Sequence, residues 1–261
     1  MNKLAKEKRI QILQCLLEGN SIRSTARITG ASKNTVIKLL VDSGKACKEF
    51  QEEKMRNLTC KNIQVDELWS FIYSKKKKTK NVPGKGDSWT WVAICSDTKI
   101  VPVWHVAKRD AQSADVFIEM LSKRISHNVQ ITSDGLQSYQ PAIEKHMRHA
   151  KFGMLVKHYI KNKKGGNLVI YKNEIRGKVD KAKISTSFIE RQNLNIRMGN
   201  RRFTRKTNAF SKKFENHCHA LSLYFYYFNF IRVHKTLRTT PANAMGIIEE
   251  LDLGSILDLT G

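Results

Sequence analysis

Three acidic residues stand out by their surroundings. Asp66 interrupts the apolar run "IQVDELW", Asp134 closes "ITSDG", and Glu190 is the single acid in the cationic stretch "KISTSFIERQNLNIRMGNRRFTRKTNAFSK" from Lys183 to Lys212. A carboxylate inside an apolar strand is costly to bury unless it is paired or holds a metal. A hard divalent ion such as Mg²⁺, or Mn²⁺ in its place, takes oxygen ligands and keeps several waters, so carboxylates drawn from separate elements suit it. Two such ions roughly 4 Å apart can activate an attacking oxygen and stabilise the departing one in phosphodiester displacement. Asp66, Asp134 and Glu190 are therefore the candidate catalytic and metal-binding residues, separated by 68 (66 to 134) and 56 (134 to 190) positions. Each also has a plainer reading. Asp-Gly is a common turn pair, and Glu190 could complete a capping box with Ser187. Capping alone does not explain why Glu190, Asn193, Leu194 and Arg197 fall on one helical face. Arg191, Asn193, Arg197, Arg201, Arg202, Arg205 and Lys206 are placed to hold the phosphates of a nucleic-acid strand.

The elements that must carry these residues can be read from periodicity. Extended runs are expected in "IQVDELWSFIY", "SWTWVAICSD" and "KIVPVWHVA", with a turn-rich "SKKKKTKNVPGKGD" after the first. Helical spacing follows over 111–125, then a strand ending at "SDG", a helix over about 136–148, and a fifth strand in "FGMLVKHYI". The basic segment at about 161–183 reads as an insertion before helix resumes near Thr186. This order is that of an α/β, ribonuclease-H-like fold, a mixed five-stranded sheet flanked by helices. Its first and fourth strands are neighbours, which would bring Asp66 and Asp134 to one sheet edge.

Ahead of that core, Leu4, Ile10, Leu13, Leu16 and Leu17 mark a first helix. In "SIRSTARITGASKNTVIKLLVDSG", Ser21 and Ser32 can cap two more helices, with Gly30 in the turn. The pair is similar to the helix-turn-helix family at Ala26, Gly30 and Val36. That likeness directs Lys33, Asn34, Thr35 and Lys38 towards DNA bases and phosphates. The expected division is a helix-turn-helix module over 1–45, a linker over 46–60, the catalytic domain over 61–205 and a C-terminal helical extension over 206–261. The plainer alternative for the first module is a three-helix bundle. "HALSLYFYYFNF" is aromatic around the whole helix and reads as buried core. His105 reads as a core or edge histidine, and nothing in the sequence decides a role for His234 or Lys235.

With 47 Lys+Arg against 23 Asp+Glu, the net charge of +24 predicts a polyanionic partner, nucleic acid first. Five cysteines without a C-x-x-C pair indicate reduced thiols, and adjacent residues of "HCH" diverge too far on a helix to share one ion. No apolar run approaches a membrane span, and the charged start "MNKLAKEKRI" lacks export features, so a cytoplasmic location is expected.

Asp66 in "VDELW", Asp134 in "TSDG" and "SFIERQNLNIR…RRFTRKTNAFSK" resemble a DDE transposase of the insertion-sequence-1 family, and "YFNFIRVHKTLRTTPA" is similar to the tail of related elements. The likeness spans roughly 62–245, and its specific part is the Glu190 stretch. It implies that Asp66, Asp134 and Glu190 form the metal-binding triad, and that Arg197 occupies a basic position of the family. The implied partners are duplex DNA, as the element's terminal inverted repeats and its target, and a second copy of the chain, as a homodimer or larger. The implied reaction is strand cleavage followed by transfer of the 3′-hydroxyl. To the cytoplasmic location the resemblance adds the nucleoid of a prokaryotic cell. Many relatives begin with a zinc finger, whereas only Cys15 precedes the helix-turn-helix here, so no zinc is expected. Two competing readings are a DNA-binding regulator without catalysis and another ribonuclease-H-like nuclease.

Overall fold

The computed structural model describes residues 4–75, 82–125, 128–162, 165–247 and 251–260, with the backbone alone at 159–168. Part of the lysine-rich connection, 76–81, and residues 163–164 of the basic segment lie outside the described residues. The chain divides into two compact units, Arg56–Leu68 with Trp89–Gln192, and Met1–Met55 with Trp69–Ser88 and Asn193–Gly261.

The first is built on a sheet. The sheet's strands are β1 (Asn62–Ile72), β2 (Gly86–Cys95), β3 (Trp104–Ala107), β4 (Gln130–Ser133), β5 (Lys151–Asn162) and β6 (Gly165–Arg176), in the order β3-β2-β1-β4-β5-β6, with the end of β1 from Trp69 and the start of β2 up to Ser88 assigned to the second unit. β4 runs parallel to both β1 and β5, whereas β2–β3 and β5–β6 are antiparallel. The sheet is therefore mixed, with β1 and β4 adjacent, as the ribonuclease-H-like expectation requires. All four residues of β4 are buried, as a central parallel strand demands.

The strand count differs from expectation. The basic segment read as an insertion supplies β6, which pairs with β5 from Phe152–Arg176 to Asn162–Gly165. Its signal is weak because Ile170, Tyr171, Lys172, Asn173 and Glu174 are all exposed, so there is no buried face whose alternation would mark the strand. Between β3 and β4 lies α4 (Ala111–Ser122), started by Asp110, whose Oδ1 accepts from the Ser113 N–H at 2.9 Å. It buries Ala114, Phe117, Ile118 and Leu121 and packs on α5 (Tyr139–His146). Such caps contribute about 1 kcal/mol each.

The second unit is helical at both chain ends. It contains α1 (Lys6–Leu17), α2 (Ile22–Thr29) and α3 (Lys33–Lys54). The expected punctuation is present: Ser21 Oγ accepts from the Ser24 N–H, Gly30 is left-handed at φ 68°, and Ser32 Oγ accepts from the Thr35 N–H. Val36 is fully buried. On α2 the inward residues are Thr25 and Thr29, while Ala26 is half-buried. Residues 46–54 continue α3 without a break, on the stripe Val36, Leu40, Ser43, Gly44, Cys47 and Gln51.

That stripe packs on α7 (Phe214–Tyr226), which runs into a π-helical turn at Tyr227–Ile231. At Gly44 an added Cβ would stand 2.6 Å from His219 Cβ, so only glycine lets the two helices approach this closely. The aromatic stretch is core, as expected: Leu223, Tyr224, Phe225, Tyr226, Phe228 and Phe230 are all buried. His217 is also buried, its Nδ1 2.9 Å from Ser211 Oγ. Short helices α8 (Pro241–Ala244) and α9 (Leu253–Asp258) end the chain. The remaining long helix, α6 (Ser187–Gly199), carries Glu190.

Candidate active site

All three acids belong to the sheet unit. β1 and β4 are in parallel register from Asn62–Gln130 to Gln64–Thr132, an offset of 68 residues. Asp66 and Asp134 are separated by that same offset, so each lies two residues past the last pair of the register, where the two strands run about 4.8 Å apart. Asp134 lies one residue beyond β4, and its Oδ1 accepts from the Leu136 N–H at 3.0 Å. The Asp-Gly turn is thus real, and it also fixes the carboxylate.

Glu190 reaches this region through a contact that sequence reasoning missed. Gln64 lies two residues before Asp66 and hence on the same face of β1, with its side chain buried. Its Oε1 accepts from the N–H groups of Phe188 at 2.8 Å and Ile189 at 3.0 Å. The first amides of a helix have no partner within it, so a buried amide oxygen from β1 ties the start of α6 to the strand that bears Asp66. Glu190 does not close a capping box with Ser187. Its Oε1 instead accepts from Thr186 Oγ1 at 2.6 Å and from Lys157 Nζ of β5 at 2.5 Å.

The electrostatics follow from this placement. Burial raises the Asp66 carboxyl to about 7, and the neighbouring charges of Glu67, Asp134 and Glu190 push the same way, against the Glu67 N–H that bonds to it. Burial also acts on Glu190, but the bonds from Lys157 and Thr186 outweigh it and hold this carboxyl below its usual range. Among the described residues no three His, Cys, Asp or Glu side chains are grouped closely enough to hold a metal ion. The donor set nevertheless fits a hard divalent cation, because three oxygen-only ligands come from separate elements and their mutual repulsion is felt at Asp66. Glu190 would have to exchange its Lys157 contact for the cation to join such a set.

Behind Asp66, on the opposite face of β1, the Glu67 side chain is almost wholly buried and paired with Arg109 at 2.9 Å. Its second oxygen accepts from the buried Tyr139 hydroxyl. Tyr139 packs edge-on against Trp91, and the Arg109 guanidinium lies 5.1 Å from the Trp89 ring centre. The "DE" dipeptide thus divides its labour by strand alternation: Asp66 faces the site, and Glu67 anchors the strand from behind. Nothing in the apolar pattern singles out Glu67. His105, on β3, is half-buried, and burial lowers its pKa.

Of the expected DNA contacts, Arg191 is exposed in the sheet unit. Arg197, Arg201, Arg202, Arg205 and Lys206 belong to the helical unit, where Arg205 and Lys206 are exposed. Asn193 departs from expectation: it is buried at 8% exposure and packs inward, because position 193 falls beside the core residues Gln192 and Ile196. Lys33, Asn34 and Lys38 are exposed at the start of α3, and Thr35 is half-buried. Lys38 pairs with Asp42 at 2.5 Å. A cleft of about 620 Å³ in this unit is lined by Arg23, Lys33, Arg201, Arg202, Lys212 and Lys213, with no acidic residue.

Residues 81–176 match a family model described as a DDE domain, and residues 152–231 match one described as IS1 transposase. Asp134 lies in the first span and Glu190 in the second, whereas Asp66 precedes both. No curated protein matches the sequence. Among solved structures, a pre-cleavage Mos1 transpososome aligns at 14% identity over 58% of this chain and 60% of that one, with a TM-score of 0.24. A Mos1 transposase paired-end complex with the left transposon end aligns at 15% identity over the same shares, also at 0.24. A piggyBac transposase synaptic complex with hairpin DNA aligns at 8% identity over 99% of this chain and 72% of that one, with a TM-score of 0.44. The chain thus spans about 60% of the length of the Mos1 chains it matches. The chain is thus similar to a DDE domain over residues 81–176 and to IS1 transposase over residues 152–231, the span that contains Glu190.

Proposed function

We propose that the chain is the transposase of an insertion sequence, which binds the ends of its element, cleaves a DNA strand there and joins the freed 3′-hydroxyl to target DNA. The observation that carries this reading is the parallel pairing of β1 and β4 from Asn62–Gln130 to Gln64–Thr132, which ends two residues before Asp66 and Asp134, with the helix of Glu190 tied to β1 through Gln64. Asp66, Asp134 and Glu190 would hold Mg²⁺ or Mn²⁺, which when bound supplies Lewis-acid stabilisation of the attacking and leaving oxygens. The residues themselves contribute position and charge. β1 and β4 present two carboxylates from a rigid sheet, and Lys157 keeps Glu190 ionised. The buried Glu67 and Tyr139, with the exposed Arg109 paired to Glu67, hold β1 in place from the far side. Lys33, Asn34, Thr35 and Lys38 are assigned to the element ends, and the arginines after Glu190 to DNA phosphates. Bringing two ends together calls for a dimer or larger. A DNA substrate of this kind places the protein with the nucleoid in the cytoplasm.

The Glu190–Lys157 pair also favours a second reading, a DNA-binding regulator whose carboxylates are held for structure alone. One assay separates the two. Purified protein is incubated with Mg²⁺ and DNA bearing the element's ends, alongside Asp66→Asn, Asp134→Asn and Glu190→Gln. The expected result is that each variant binds as the parent does and loses cleavage by at least about a hundredfold, since an amide matches the shape but not the charge of the ligand. Full cleavage by any one variant removes that residue from the triad, and a parent that binds without cutting establishes the regulator.

A further inference from the structure

A second cleft in the helical unit differs in chemistry from the basic one. It measures about 380 Å³, and its lining includes the aromatic residues Trp69, Phe71 and Phe210 together with Lys75, Arg205 and Lys206. Trp69 and Phe71 are two residues apart at the end of β1 and so project from the same face. Their ring centres are 5.8 Å apart, and Phe71 lies 4.9 Å from Phe210, which gives a continuous row of three half-buried rings. Lys75 Nζ stands 6.0 Å from the Trp69 ring centre. Arg205 and Lys206 are exposed, and no acidic residue lines the cleft.

Arg202 adds an independent observation. It lines this cleft as well as the basic one, its Nε is buried without a hydrogen-bond partner, and burial lowers its pKa to about 10. A buried guanidinium atom lacking an acceptor is costly, and an incoming anion removes that cost. The cleft therefore offers π-faces together with sites for negative charge.

We propose that this cleft binds unpaired nucleotides of a DNA strand, with a base stacked on the Trp69–Phe71–Phe210 row and its phosphates held by Lys75, Arg202, Arg205 and Lys206. Bases within a duplex cover each other's faces and cannot reach a ring row of this kind, so the occupant is a single-stranded stretch or an extruded base. The volume lies in the range of small-molecule sites, of order 300–1,000 Å³, and suits about one or two nucleotides. This deepens the DNA reading given above and rests on it for the class of partner, while adding a strand state that the duplex surface of α3 does not require.

The test uses the full chain and two fluorescent DNAs of random sequence, a single strand containing 2-aminopurine and a blunt duplex. Anisotropy gives affinity for both, and 2-aminopurine quenching reports stacking. The expected result is quenching on the single strand and a loss of about tenfold in single-strand affinity in Trp69→Ala, with duplex affinity unchanged and Trp69→Phe restoring most of the loss. Phe210→Ala and Phe71→Ala should weaken single-strand binding in the same selective way, which keeps the test decisive if Trp69→Ala does not fold. Duplex binding without single-strand quenching overturns the cleft and leaves the DNA reading standing. An equal loss on both DNAs in Trp69→Ala also overturns it, since it reports general phosphate attraction. So does a Trp69→Ala variant that changes only self-association in sedimentation, which would assign the rings to a second copy of the chain. Failure to bind either DNA removes both readings together.

Discussion

At Asp66, the same crowding that marks a site also sets a pH dependence. Its carboxyl rises from 3.8 to about 7, chiefly through burial and then through its acidic neighbours. Between those values the folded chain keeps a proton that the unfolded chain has released, so this residue's contribution to stability falls as pH rises through that window and levels off above it. A cation at the site competes with the same proton. Mg²⁺ affinity measured by calorimetry should therefore increase with pH by up to about tenfold per unit below pH 7 and flatten above it. Asp66→Asn should bind weakly with little pH dependence. An affinity that ignores pH in the parent would mean that Asp66 is not a ligand. Glu190 behaves in the opposite sense: Lys157 and Thr186 hold its carboxyl low, and so it adds no break near neutrality.

At the scale of elements, the site depends on how α6 is attached to β1. Gln64→Leu keeps the volume and apolar fit but deprives the Phe188 and Ile189 amides of their acceptor. Leaving buried donors unpaired costs about 1–3 kcal/mol, spent locally on the first turn of α6. Hydrogen exchange at those two amides should accelerate by about tenfold or more while protection in β4 stays as it was. Unchanged exchange at Phe188 and Ile189 would show that other packing holds the helix. Much of this architecture is legible in the sequence. An acid within an apolar strand, an acid ending another, and a glycine after it locate two catalytic candidates, because alternation and turn chemistry are local. Ser21, Gly30 and Ser32 mark the helix ends for the same reason. Gln64 is not legible, since an amide two residues before an aspartate acquires meaning only from a helix more than a hundred positions away. The Lys157–Glu190 pair is hidden likewise. β6 goes unread because its polar, basic residues gain their pairing from β5 rather than from a buried face, and Asn193 is misassigned because the helical face it shares with Glu190 by spacing is in part a buried one.

For the whole molecule, the net charge of +24 has a consequence that individual contacts do not. A protein that neutralises Z phosphates of duplex DNA shows a binding constant falling with salt at a log–log slope of about −0.9Z, because each contact releases condensed counterions. Several of the cations named here should together give a steep slope, and removal of one true phosphate contact should lower its magnitude by about 1. The two lysines at the start of α3 provide an internal comparison. Lys33 lines the basic cleft, whereas the charge of Lys38 is already held by Asp42 one turn away. Lys33→Ala should therefore flatten the salt dependence by about one unit, and Lys38→Ala by clearly less. Asp42→Ala, which frees Lys38, should steepen it and tighten binding at low salt. Anisotropy titrations on the element-end duplex over a series of salt concentrations measure all three slopes. If Lys33→Ala leaves the slope unchanged, α3 is not the duplex-reading helix, and the basic cleft it borders has no part in holding duplex DNA.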